Sequence, residues 1–285
     1  MGVNPSTRPS GRLVRRTDHP TATRSEPVTL RPVDIADAAL LVGAGLVAGA
    51  VNAVAGGGSL ITFPSLVATG LSPVVANVTN AVAVCPGYLA SVAGSRADLT
   101  GQRRRALTLV PAAIVGALVG AALLLLTPAR AFELIVPFLV LSATALLAFQ
   151  PRIQKVVGHP AHISARRQAV VLQLLTLLGA VYGGYFGGAL GVILVAVLAL
   201  VLDEPLRRIS AMKNVLSAVV GVTGVAAFAL FGPVHWTSVA VLAPATLTGG
   251  YVGARVARLL PQAVLRWSIV AFGVGVGVVL LLRAF

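Results

Sequence analysis

Residues 50–65 read AVNAVAGGGSLITFPS, and they sit inside 58 consecutive residues, Ala38 to Ser95, that carry no charge. As a single helix that stretch would reach roughly 87 Å, nearly three times the roughly 30 Å hydrocarbon core of a bilayer. It must therefore fold back on itself within lipid, and Gly56-Gly57-Gly58-Ser59 marks where the helix is broken. Backbone groups freed at such a break find no water in the bilayer core, so the break must face protein or something polar. It is the first place to look for a ligand.

Composition agrees. The chain is 57% apolar and 11% charged, against about 25% charged residues in soluble proteins. Further uncharged stretches reach or approach spanning length: Ala106–Leu126, Leu134–Gln150, Gln168–Leu202, Trp236–Ala254 and Trp267–Leu282. The fold class is an all-α, polytopic helical membrane protein. About eight transmembrane helices are expected in two duplicated halves, each with a broken or re-entrant helix.

A net charge of +14 would suggest nucleic acid as a partner for a soluble chain. Here the arginines stand in tails and loops, as the positive-inside rule expects, and no nucleic-acid partner is implied. Six of them (Arg8, Arg12, Arg15, Arg16, Arg24 and Arg31) fall within residues 1–33, which read as a disordered cytoplasmic tail. No apolar segment follows at signal-peptide distance, and Arg15-Arg16 lacks the context of a twin-arginine export signal. Cys85 is the single cysteine, so there is no intramolecular disulfide and no multi-cysteine metal site.

The basic clusters divide the chain into a first transmembrane repeat at 34–150, a basic cytoplasmic linker at 151–167 and a second repeat at 168–285. The tail, Arg96 with Arg103-Arg104-Arg105, and the linker are all expected on the cytoplasmic side. The halves also echo each other. At an offset of 134 residues, Ala76–Asn80 aligns with Ser210–Asn214, and Gly57 with Gly191. The same offset sets Gly70–Val74 against Glu204–Arg208, which is plainly aqueous, so 70–74 reads as a surface turn. Ala38–Thr69 then holds about 48 Å of helix for one net crossing. A matching interruption, Tyr182–Gly188, occurs in the second half. Four crossings per half, in the same sense, is the expected topology. Counting each interruption as a further crossing would invert the halves, which the linker's charge disfavours; Arg255, Arg258 and Arg266, however, fit poorly outside.

Chemistry concentrates at a few positions. Leu60–Thr69 is long enough for a half-helix whose positive end would point at the glycines. Gly57 and Gly58 allow close backbone approach by an anion, and Ser59 can cap or donate. The other reading is a close-packed hinge between helices. Asn77, Thr79 and Asn80 form a polar group near the start of a helix that begins around Pro73, and Asn52 stands one turn before the glycines. These amides suit either a ligand or interhelical hydrogen bonds. Lys213-Asn214 is the sharper signal. Lys213 lies about 12 Å into a helix starting near Pro205, and an unpaired intramembrane cation costs roughly 3 kcal/mol. It either serves a function or snorkels to the surface. Asn214 aligns with Asn80.

Absences point the same way. None of the eight acidic residues lies centrally in a predicted span, so no carboxylate relay for cations is present. No histidine stands mid-membrane to act as base for a Ser–His hydrolase, and His159 and His162 fall in the linker. No metal site, cofactor or enzymatic activity is expected. A buried cation, amides and helix N-termini without carboxylates favour an anion.

The stretch Ala-Gly-Gly-Gly-Ser-Leu-Ile-Thr-Phe-Pro at 55–64, followed by Ala-Asn-Val-Thr-Asn-Ala-Val-Ala-Val-Cys-Pro-Gly at 76–87, resembles the TauE/SafE sulfite-exporter family of permeases. Gly-Gly-Tyr-Phe-Gly-Gly and Lys-Asn in the second half resemble that family's later elements more loosely. The resemblance covers residues 34–283. It implies transport of sulfite, sulfonates or related sulfur-containing anions. The expected protein is thus a multi-pass permease of a bacterial inner or plasma membrane, working by alternating access, with the bilayer and a small anion as partners and a homo-oligomer left open. The competing expectation is a membrane-embedded assembly or sensor subunit that moves nothing.

Overall fold

The computed structural model describes residues 34–54, 56–157, 164–256 and 262–284. The expected tail at 1–33, and Arg258, His159 and His162, lie outside them. Ten helices make up the described chain: α1 Ile35–Val54, α2 Ser59–Ala68, α3 Pro73–Gly94, α4 Arg103–Leu126, α5 Ala129–Val157, α6 Ala165–Tyr185, α7 Leu190–Val201, α8 Leu206–Phe231, α9 Trp236–Val256 and α10 Gln262–Ala284. Eight of them have 20 or more residues, about 30 Å or longer, and two, α2 and α7, have 10 and 12. Six of the long helices combine length and apolarity enough to cross a membrane. The chain is a polytopic, all-helical membrane protein.

The five helices of each half correspond in order, and the halves run in opposite senses. The mates α3 and α8 are antiparallel. Asn214, near the start of α8, bonds Ser95 just past the end of α3, whereas Val78, near the start of α3, meets Gly232 just past the end of α8. The pairing across the halves repeats with the same inversion. α1 runs parallel to α9, with Gly45 against Ala245 and Gly49 against Gly250. α4 likewise runs parallel to α6, with Gly116 against Ala180 and Gly120 against Gly184.

These contacts are backbone-close. A side chain on Gly49, Gly120, Gly184 or Gly249 would overlap a carbonyl of the facing helix. Gly45-x-x-x-Gly49, Gly116-x-x-x-Gly120 and Gly249-x-x-x-Gly253 are therefore packing motifs, which bring backbones together where lipid offers no hydrophobic drive. Thr246 adds a bond from Oγ1 to the carbonyl of Ala83 at 2.7 Å.

The inversion revises the expected topology. α1 runs toward one face and α2 doubles back, so Ile35 and Leu71 lie at the same face and the pair makes no net crossing. Three further helices per half make the number of net crossings odd. As a result the starts of α4, α6, α8 and α10 all come to one face, together with the end of α9. Arg96, Arg103–Arg105, Arg152, Arg166, Arg167, Arg207, Arg208, Arg255 and Arg266 all gather there, making it the basic face. The misfit of Arg255 and Arg266 thereby disappears. Arg130 stands on the opposite face, where α1 also begins, so the expectation that the chain enters α1 from the same side as Arg103–Arg105 does not hold. The interval 151–167 is partly helical, since α5 continues to Val157 and α6 starts at Ala165.

Candidate substrate site

α1 ends at Val54 and α2 starts at Ser59, while α6 ends at Tyr185 and α7 starts at Leu190. The two interruptions meet. The N–H of Gly191 donates to the carbonyl of Gly56 at 3.3 Å, and the two glycines pack Cα against Cα with no room for a side chain on either. Because α2 runs from this point to the opposite face and α7 to the basic face, two half-helix N-termini converge on one place. Each carries the equivalent of about half a positive charge.

Two helix C-termini, of α1 and α6, end there as well, and their negative ends would cancel the positive ones. Each is met by a donor from the other half. Lys213, on α8 and 1% exposed, donates from Nζ to the carbonyl of Asn52 at 2.8 Å. Asn77, on α3, donates from Nδ2 to the carbonyl of Tyr185 at 2.8 Å. In its protonated form Lys213 would leave the local field net positive. The nearest acidic side chains along the described chain lie at the ends of helices: Asp34, Asp37 and Glu133 toward the opposite face, and Asp98, Asp203 and Glu204 toward the basic one.

Around the start of α2 the polar groups interlock. The N–H of Gly58 donates to Asn52 Oδ1 at 2.7 Å, so Asn52 spans the break and caps α2. Leu60 and Ile61 donate to the carbonyls of Gly57 and Gly58. The N–H of Ser59, on the first turn, has no intrahelical carbonyl to meet. Thr62 Oγ1 donates to Asn80 Oδ1, holding α2 to α3. Asn52 Nδ2 is buried without a partner, a donor left over at the break. Ser59, Asn80 and Tyr88 open onto a cavity of about 20 Å³, closed on its far side by Gly183, Gly187 and Gly221. That is room for about one water.

The expected residues are thus partly united. Asn52, Gly57, Gly58, Ser59 and Asn80 gather at the start of α2, and Lys213 reaches the same place through the carbonyl of Asn52. The other three lie apart. Thr79 accepts from the N–H of His235 at 2.9 Å, at the start of α9. Asn77 serves the end of α6, with its Oδ1 unpartnered. Asn214 donates to Ser95 Oγ at 3.1 Å, near the basic face. Its alignment with Asn80 does not bring it to the cavity, because the inverted halves put the two amides on opposite sides of the centre. Thr62 is a member of the site that the sequence pattern did not single out; its spacing of three from Ser59 on a half-helix was the available signal.

A family model, Sulfite exporter TauE/SafE, matches residues 41–280. The chain belongs to that family. Among TauE/SafE relatives, a "Probable membrane transporter protein" of Haemophilus influenzae is 27% identical over 242 residues, which is 81% of this chain and 89% of the relative. "Probable membrane transporter protein YfcA" of Escherichia coli K12 is 26% identical over 234 residues, 79% of this chain and 82% of that one. "Probable membrane transporter protein ORF9" of a Sinorhizobium species is 26% identical over 250 residues, 85% and 92% respectively. No solved structure matches the chain. The protein is a multi-pass membrane transporter of the TauE/SafE family.

Proposed function

We propose that this transporter moves a small sulfur-containing anion, such as sulfite or an organosulfonate, by alternating access between its two inverted halves. The observation that carries the reading is the convergence of the α2 and α7 N-termini at Gly56 and Gly191, with Lys213 and Asn77 meeting the two helix C-termini that would offset them. Discontinuous helices whose N-termini meet near mid-depth suit an anion. Gly57 and Ser59 present backbone and hydroxyl donors, Gly58 holds Asn52 beside them through its N–H, Asn52 and Asn80 present amides, and Lys213 supplies charge. A sulfur oxyanion offers several acceptor oxygens to such a donor set. Asn77, Thr79 and Asn214 support the site by bracing helix ends around it.

The cavity admits about one water, so an oxyanion enters only when the halves separate. Inverted repeats supply two ways to do so, related by a pseudo-two-fold rotation, one toward each face.

Flux of sulfite, thiosulfate, taurine and sulfoacetate in vesicles holding purified protein tests the reading. At least one of these anions should move. Lys213→Ala and Asn80→Ala should each slow it by about tenfold or more, the loss expected when about 1.4 kcal/mol of binding is removed. Wild-type flux in both variants at normal protein levels would remove the site assignment.

A further inference from the structure

Where α4 and α6 begin on the basic face they run side by side in the same direction, and a groove of about 400 Å³ opens between them. Its chemistry is layered by depth. At the rim stand Arg104 and Arg105. Arg105 is committed to Glu204 at 3.1 Å, but Arg104 is exposed and has no acidic partner among the described residues. About a turn deeper come Thr108 on α4 and Gln173 on α6, and behind them, at the same level, the buried Leu109 and Leu172 form the floor of the groove.

Gln173 is the informative residue. It is exposed beside Val170 and Leu174, which are 58% and 53% exposed on the lipid-facing side of an uncharged span. Its Nε2 reaches only the carbonyl of Thr108, at a long 3.5 Å. An amide at that depth is costly unless something polar meets it from outside the protein. The fold itself does not demand this arrangement. At the pseudo-symmetric place, where α9 and α1 begin on the opposite face, the described residues include Trp236, Asp34 and Asp37 and no arginine.

We propose that this groove binds an anionic phospholipid from the leaflet on the basic face. Its phosphate lies against Arg104, its glycerol and ester oxygens against Thr108 and Gln173, and its acyl chains run on along the exposed Leu174 and Leu178 of α6. Arg104 at the rim, Thr108 and Gln173 a turn deeper, and Leu178 a further turn down α6 follow the order phosphate, ester, chain. Basic pockets between helices on the cytoplasmic side suit such headgroups.

The test titrates the full-length protein in neutral detergent with phosphatidylglycerol, phosphatidylcholine or inorganic phosphate and follows the thermal midpoint. Phosphatidylglycerol alone should raise it saturably. Arg104→Glu should raise the half-saturating lipid concentration by about tenfold, because the headgroup then meets repulsion in place of attraction. Ala169→Trp fills the groove without touching its charge and should do the same. Should Arg104→Glu fail to fold, Arg104→Gln with Ala169→Trp decides. An equal rise with phosphatidylcholine would overturn the proposal, and so would the same rise with inorganic phosphate, which would mark a free-anion site. Unchanged phosphatidylglycerol dependence in both folded variants would overturn it as well.

Discussion

Gly56 has a φ of +82°, and a side chain there would drive into the backbone of Gly191. Gly58 has ordinary helical backbone, yet a Cβ would overlap the carbonyl of Ala48 and the side chain of Asn52. Gly57, between them, has neither restriction: its Cβ would meet only the Leu147 side chain at 3.2 Å. That difference separates bending from binding. Gly56→Ala and Gly58→Ala should each cost about 3 kcal/mol or more through backbone overlap, seen as lost protein yield or a lowered thermal midpoint. Gly57→Ala should fold with its midpoint nearly unchanged. If its anion flux still falls, the glycine is there to let a ligand approach the backbone. Undiminished flux in a folded Gly57→Ala would leave the triple glycine a purely structural hinge.

Among elements, the ends of the broken helices are the sensitive points. Lys213 does two things at the end of α1: it donates to the carbonyl of Asn52, and it places a charge beside it. Substitutions can part these roles. Lys213→Gln keeps a donor and removes the charge, so it should retain most stability and lose flux. Lys213→Leu removes both and should additionally lower stability by about 1–3 kcal/mol, the cost of leaving a buried carbonyl unmet. Thermal midpoints and flux measured on the same preparations distinguish the two roles. Equal flux for wild type and Lys213→Gln would reduce the lysine to a helix cap. Much of this element was legible in the chain: an overlong uncharged stretch forced the break, and a lysine well inside an apolar helix demanded a partner. The partner was not legible, because Asn52 and Lys213 are 161 residues apart and meet through a backbone carbonyl that no side-chain pattern announces. Nor could the 134-residue echo tell that Asn80 and Asn214 diverge, since an alignment is blind to the sense in which two halves are laid down.

For the whole molecule, the sense of the halves decides which turns share a face, and charge counting reached the wrong sense for a definite reason. Treating Ala38–Thr69 as one net crossing makes each half even. In the fold, α2 returns to the face where α1 began, which leaves each half odd and inverts the second. Three turns of the second half exchange sides between these alternatives, and those at Asp203 and Pro233 are exposed enough to label. Asp203 precedes α8, whose start joins the basic face through Arg105–Glu204 and Arg207–Asp98 contacts at 3.1 and 3.8 Å. Pro233 lies between α8 and α9 on the opposite face. In a Cys85→Ala background, Asp203→Cys and Pro233→Cys can be probed in intact cells with a maleimide that does not cross membranes. With the basic face cytoplasmic, as the arginines gathered between its helices favour, the cysteine at 233 should label from outside and the one at 203 only after permeabilisation. Same-sense halves demand the reverse. Alternating access between inverted repeats rests on the first outcome, because inverted halves that exchange conformations open the same central site to opposite faces in turn.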